Sequence, residues 1–292
     1  MELPPVFKTL HCGTAGLPQE NVERIDYQAG LARLQESGLS AMELEFVQQV
    51  HLDIDGAREV GELAAKRGVY LSAHASYYVN FASLERPKAH ASVSRLVKAA
   101  KVLHAAGGHS VVFHAAFYQG RSSEEIYPLV AKGIAELETA LAKAEVSLWI
   151  RPELTGKPTQ FGDLTELARL SREFATVLPC IDFSHLHART AGAYNTTSEW
   201  EETLDLLESE TPHEKQLLKR MHIHLSGIEY GPKGERKHLA LADSDLAFPQ
   251  LVRVLQRRGV CGTLICEGPR EAMIRDAQSI KAIYEASSAA GN

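Results

Sequence analysis

The chain has 292 residues and a formal net charge of −6, long enough to bury a large core without disulfide or metal support and too acidic overall to suggest a generally basic nucleic-acid binder. Its 45% hydrophobic and 23% charged content excludes a disordered or fibrous protein, and no stretch approaches the ~20 apolar residues of a membrane span. Cys12, Cys180, Cys261 and Cys266 form no CxxC pair, which fits a reducing compartment, and residues 1–10 lack a signal-peptide pattern, so a cytoplasmic location is expected.

Predicted strands follow in order at 7–12, 41–46, 69–73, 110–114, 147–153, 177–182, 221–225 and 263–267. Each is a short apolar or β-branched run. Between them lie segments whose apolar residues recur at three and four, the mark of an amphipathic helix: 53–67, 92–106, 124–144, 164–174, 248–258 and 270–286. No Pro/Gly/Ser-rich linker or low-complexity tract divides the series. Eight strand–helix units in succession predict one (β/α)₈ TIM barrel occupying 1–292 as a single domain. A doubly wound sheet would want a longer Gly-rich first turn than Gly13-Thr14-Ala15-Gly16 provides.

Such a barrel builds its active site at the C-terminal ends of its strands. Those ends carry His74, His114, Glu153, Asp182 with His185 just beyond, His224 with His238 in the following loop, and Glu267. One histidine in such a place is ordinarily a hydrogen-bonded structural residue, and one carboxylate a helix cap. Six successive strand ends bearing ligand types are different, because converging imidazoles and carboxylates need a cation to compensate them. Imidazole and carboxylate without thiolate suit zinc, with manganese or iron as alternatives. Eight candidate ligands exceed what one ion uses, so two or three ions are expected. Clustered metals of this kind hydrolyse phosphate esters.

Three segments also resemble a known family. His74-Ala75-Ser76-Tyr77-Tyr78-Val79-Asn80, Glu153-Leu154-Thr155-Gly156 and Cys180-Ile181-Asp182-Phe183-Ser184-His185 are similar to the H-x-S-Y-x-x-N, E-N-T-A-G and C-x-D-x-x-H stretches of the endonuclease IV family. That family consists of trinuclear-zinc barrels within the xylose-isomerase-like superfamily. The resemblance implies a first zinc on His74, His114 and Glu153. A second would share Glu153 with Asp182, His224 and Glu267, and a third would be held by His185 and His238. It further implies incision of damaged double-stranded DNA 5′ to abasic sites in base-excision repair. Glu153 and Glu267 would be catalytic, Tyr77, Tyr78 and Asn80 would touch DNA, and the chain would act as a monomer without an obligate protein partner.

The sequence departs from the family in three places. After strand seven it reads His224-Leu225-Ser226-Gly227 instead of H-x-N-D. Arg236 stands where the third zinc's aspartate belongs, with Glu235 beside it as a substitute ligand. No basic residue follows strand two in Phe46-Val47-Gln48-Gln49.

The rival is a sugar isomerase or epimerase on the same barrel, using one metal on Glu153, Asp182, His224 and Glu267. The extra histidines His74, His114, His185 and His238 are what separate the two. Loops after the strands carry Arg86, Lys88, Arg121, Lys157, Arg189, Lys233, Arg236, Lys237 and Arg270, a face suited to a polyanion. They also hold Tyr77, Tyr78, Phe81, Phe117, Tyr118, Tyr194 and Tyr230, able to stack on bases or sugars. His222 is expected one layer deeper than His224, and His187 and His11 are candidate partners of the ligands. His51, His90, His104, His109 and His213 are expected at the surface or at helix ends.

Overall fold

The computed structural model describes residues 4, 6–18 and 26–289. Parallel strands β1 (Leu10–Ala15), β2 (Ala41–Glu45), β3 (Tyr70–His74), β4 (Ser110–Phe113), β5 (Trp149–Pro152), β6 (Cys180–Asp182) and β7 (Met221–Leu225) are followed by an antiparallel hairpin, β8 (Gly227–Gly231) and β9 (Gly234–Leu239), and then by β10 (Gly262–Cys266). The parallel strands neighbour one another in the order β5-β4-β3-β2-β1-β10-β7-β6. The ring closes between its ends: Ile150 N donates to Thr176 O at 2.9 Å and Leu154 N to Cys180 O at 3.0 Å. This is the predicted eight-stranded α/β barrel.

Helices α1 (Tyr27–Glu36), α2 (Ile54–Arg67), α3 (Arg86–Ala105), α4 (Ser123–Lys143), α5 (Leu164–Glu173), α6 (Phe183–Arg189), α7 (Thr197–Glu210), α8 (Phe248–Arg257) and α9 (Arg270–Ala289) run between and outside the strands. Their starts are written in the sequence. Ser122 with Glu125, Asp163 with Glu166 and Thr196 with Glu199 form reciprocal capping boxes, each satisfying amide groups that the first turn leaves free. Gly68 ends α2 at φ 66°, a left-handed geometry that glycine adopts without strain.

Several boundaries differ from the sequence reading. β1 starts at Leu10, not Phe7, because Phe7 packs its ring across the floor of the barrel against His11, Tyr70 and His109, with centroids 5.7, 5.1 and 5.3 Å away. His109, expected at the surface or at a helix end, is buried there and pairs its Nδ1 with Ser110 Oγ at 2.8 Å. α3 begins at Arg86, with Pro87 in the first turn where its missing N–H costs nothing. The β8–β9 hairpin occupies what the sequence suggested was a loop.

Gly13 on β1 sits in register with Ala41 on β2, and a Cβ at Gly13 would lie 1.7 Å from Ala41 O. Gly13→Ala is therefore expected to force the two strands apart and to destabilise the fold by about 2 kcal/mol or more. An unchanged denaturant midpoint would contradict that close approach.

Candidate metal centre

The parallel strands deliver their ligand types to one end of the barrel, and backbone carbonyls behind His74, His185 and His238 fix which nitrogen of each faces inward. His74 places Nδ1 2.8 Å from Ala75 O. A carbonyl only accepts, so Nδ1 carries the proton and Nε2 is left to face Glu153 Oε2 at 3.0 Å. His114 brings its Nε2 to the same oxygen at 3.0 Å. His185, near the start of α6, sets Nδ1 against Leu154 O at 3.0 Å, and His238 on β9 sets Nδ1 against Glu267 O at 2.9 Å. Their Nε2 atoms then meet at 3.2 Å, an approach that needs a proton or a cation between the two lone pairs. His224 is turned the other way. Its Nδ1 lies 3.3 Å from Glu153 Oε1 and 3.2 Å from Glu267 Oε1.

All eight predicted ligand positions are thereby brought together. Their donor atoms fall into three sets, each within 4.8 Å: His74, His114 and Glu153; Glu153, Asp182, His224 and Glu267; and Asp182, His185 and His238. Glu153 links the first two sets and Asp182 the last two.

The substitute ligand also arrives. Glu235 directs its carboxylate oxygens to Nε2 of His185 and of His238 at 3.7 and 3.8 Å, while its own N–H donates to Gly156 O at 2.9 Å. Arg236 pairs instead with Glu229 at 3.3 Å. Since β9 carries both Glu235 and His238, an ion held by this set is expected to be lost in His238→Ala while the other two sets keep their ligands. Metal analysis of the purified variant reads this directly, and an unchanged metal content would contradict it.

Charge in the centre is unbalanced toward acid. Burial alone would raise the Glu153 carboxyl, but the charges of His114 and His224 and hydrogen bonds from His114 and His185 hold it well below the usual carboxylate range. Burial alone would lower His74, yet its hydrogen bond to Glu153 and that residue's charge push it up to about 9. His185 is raised well above the ordinary histidine value by Asp182 and Glu153 against the effect of burial. Burial raises Asp182, whose Oδ1 caps α6 at 2.7 Å from His185 N and whose Oδ2 is buried with no hydrogen-bond partner. A cluster that must hold extra protons to stay neutral, with a carboxylate oxygen left over, fits divalent cations that replace those protons.

A cavity of about 270 Å³ opens over the sets and is also lined by Tyr77, Phe117, Lys157 and Gln160. Tyr77 on its wall is 59% exposed, while Tyr78, 68% exposed, does not line it and has the Arg95 guanidinium 5.9 Å from its ring centre. The other predicted DNA residue, Asn80, uses its side-chain oxygen to accept from Ala82 N at 3.1 Å and so shapes its own loop.

The expected basic face is only partly available. Arg189 donates to Thr155 O, Lys157 O and Gln160 O, Arg121 to Ala82 O, and Arg236 and Lys237 both pair with Glu229. Phe81 is buried against Phe113, and Tyr118 and Tyr230 bond Glu166 and Asp245.

His187 pairs with Asp245 at 3.1 Å and His11 with Ser40 at 2.8 Å, so neither supports a ligand. His222 lies one layer deeper, as expected, and its two nitrogens are taken by Thr263 Oγ1 at 2.7 Å and Glu43 Oε2 at 2.9 Å.

Two carboxylates on β2 escaped the sequence reading. Glu43 is fully buried beneath the centre. Burial would raise its carboxyl, but the His224 charge and a hydrogen bond from His222 hold it well below the usual range. Glu45 lies at the strand end and lines a neighbouring hollow of about 450 Å³ with Gln48, Gln49 and Arg270. The signal was present: two acids two residues apart within the otherwise apolar Ala41-Met42-Glu43-Leu44-Glu45-Phe46 must share one face of the strand.

Comparison with known proteins agrees with this architecture. The chain is 39% identical over 257 residues to an uncharacterised protein of Methanocaldococcus jannaschii, covering 88% of this chain and 91% of that one. It is 26% identical over 187 residues to the probable endonuclease 4 of Mycoplasma pneumoniae, 62% of each. Among solved structures, a D-tagatose 3-epimerase-like protein superposes with a TM-score of 0.74 at 16% identity, covering 97% of this chain and 100% of that one. Endonuclease IV from Thermus thermophilus gives 0.68 at 19%, covering 94% and 99%. At such identities the two structures speak for the fold alone. No helix among the described residues is long and apolar enough to cross a membrane. Residues 31–286 match the family described as xylose isomerase-like TIM barrel, and the chain belongs to that family.

Proposed function

We propose that the chain is a zinc-dependent phosphodiesterase that incises double-stranded DNA 5′ to abasic sites. What carries the proposal is the surplus of ligands. Glu153, Asp182, His224 and Glu267 would suffice for one ion, yet His74 and His114 stand on one side of that set and His185, His238 and Glu235 on the other. The name of the Mycoplasma pneumoniae relative points the same way. A second reading, a single-metal sugar isomerase or epimerase, is favoured by the self-sufficiency of the four-residue set and by the epimerases among the structural neighbours. It leaves the additional histidines and Glu235 without a task.

Zinc held by these sets would supply Lewis acidity toward the phosphate and bring the pKa of a water molecule toward neutrality. The chain's own contribution is positional. Glu153 ties two sets together, and Glu267 fixes His238 through its backbone carbonyl while offering its carboxylate to the second set. Lys157 on the cavity wall provides a cation for a phosphate oxygen. Tyr77 on the cavity wall and the exposed Tyr78 that follows it in the same loop present rings that would stack on bases flanking an extruded abasic sugar. Replacing both tyrosines with alanine is expected to weaken binding to a duplex with an abasic site by roughly tenfold or more, with zinc content unchanged. Equal affinity of variant and parent would remove the rings from DNA recognition.

The proposal is tested on a labelled duplex carrying one abasic site, with zinc-loaded protein and a chelator control. Chelator-sensitive incision leaving a 3′-hydroxyl is expected. No incision, together with turnover of a ketohexose, would move the function to the second reading.

A further inference from the structure

We propose that Gln160 is a specificity-determining residue of the cavity over the metal centre, its carboxamide hydrogen-bonding the C1′ hydroxyl of an abasic deoxyribose. The inference rests on the reading of the chain as an abasic-site phosphodiesterase, and it names the group by which the lesion is recognised. Gln160 stands on the cavity wall with Tyr77, Phe117 and Lys157. It is only 7% exposed, and its Oε1 is buried with no hydrogen-bond partner. Buried polar side-chain atoms are satisfied in the large majority of cases, so a missing partner calls for an explanation.

The backbone fixes where this amide stands. Gln160 N donates to Lys157 O at 3.0 Å, and Arg189 donates to Gln160 O at 3.0 Å. The segment is also stitched to the loop after β4. Gln160 bridges Phe117 in antiparallel fashion, Tyr118 N donates to Thr159 O at 3.1 Å, and Phe161 N donates to Ala116 O at 3.1 Å. The last side-chain torsion of a glutamine is soft, so on this fixed backbone either end of the carboxamide can turn to a ligand.

The ligand's chemistry follows from what the amide lacks. In a DNA strand the 3′ and 5′ oxygens of a deoxyribose are esterified, and in an intact nucleotide C1′ carries the base. Loss of the base leaves a hydroxyl at C1′ of the closed sugar, the one hydroxyl such a sugar can offer. A hydroxyl both donates and accepts, so it satisfies the carboxamide in either orientation. A site whose buried polar group is completed by the substrate discriminates against analogues without that partner.

The test compares two labelled duplexes with the zinc-loaded full chain. One carries a natural abasic site and the other a tetrahydrofuran residue, which lacks the C1′ hydroxyl. The unaltered protein is expected to incise the natural site with a kcat/KM higher by roughly tenfold or more. Gln160→Leu, close in size, is expected to lower kcat/KM on the natural site alone and so bring the two substrates together. Equal kcat/KM on both duplexes in the unaltered protein would overturn the inference, an outcome readable even if the variant does not fold. An equal loss on both substrates in a folded variant would also overturn it, since a merely structural glutamine behaves that way. Incision of neither duplex by the unaltered protein would instead remove the phosphodiesterase reading itself, and the inference with it.

Discussion

Replacing Glu153 with glutamine is expected to lower incision by on the order of a thousandfold while leaving the barrel folded. Glu153 Oε2 lies 3.0 Å from both His74 and His114 Nε2, and Oε1 lies 3.2 Å from His185 Nδ1 and 3.3 Å from His224 Nδ1. One carboxylate therefore serves both the first and second donor sets, and its charge offsets imidazoles from four structural elements. Glutamine keeps the shape and loses both the charge and one acceptor, so the two sets no longer share a bridge. The fold should survive because Glu153 N still donates to Phe113 O at 3.0 Å and because the substitution removes a buried charge without opening a cavity. Incision assays and metal analysis on the same preparation check this. Full activity with full metal content would show that the bridge is not needed.

The largest expected effect on stability lies away from the centre. Trp200→Ala should destabilise the fold by about 3–5 kcal/mol. Trp200 is fully buried on α7, the helix that packs against α5 and α8, so its removal leaves an indole-sized void among neighbours that cannot collapse to fill it. Its Nε1 also donates to Tyr194 O at 2.9 Å, and Tyr194 holds a left-handed backbone at φ 54°. Trp200→Phe separates the two contributions: it keeps most of the packing and should cost about 1 kcal/mol for the hydrogen bond. Denaturant unfolding of both variants gives the comparison, and equal losses in the two would show that packing is not the larger part.

The chemistry was most legible where topology concentrates it. In a parallel barrel every strand ends on the same face, so His74, His114, Glu153, Asp182, His224 and Glu267 could be gathered from strand ends with no knowledge of side-chain positions. His238 was read only as a residue of the loop after strand seven, and Glu235 was found only through resemblance, since the hairpin that delivers both looked like loop. The turn signal Gly231-Pro232-Lys233-Gly234 was there, but the polar run Glu235-Arg236-Lys237-His238 after it shows none of the apolar alternation that marks a half-buried strand.

Glu43 was missed for the opposite reason. A carboxylate inside an apolar strand reads as an outward-facing residue until the barrel's interior layers are known, and only the structure sets it behind His224. Charge was the least legible property. The basic loops suggested a polyanion-binding face, yet Arg189 is spent on three carbonyls of the β5–α5 loop and Arg236 and Lys237 on Glu229. Composition counts charges without their partners. The same holds for Phe7, whose apolar ring extends the β1 pattern although it plugs the barrel floor.

The multinuclear centre is tested most directly by counting metal ions. Native mass spectrometry of the full chain reconstituted with zinc is expected to show more than one ion per chain, three when the His185, His238 and Glu235 set is filled, all removed by chelator. A single ion, retained when His74, His114 and His238 are replaced, would contradict the multinuclear centre and leave the four-residue set as the whole of the metal site.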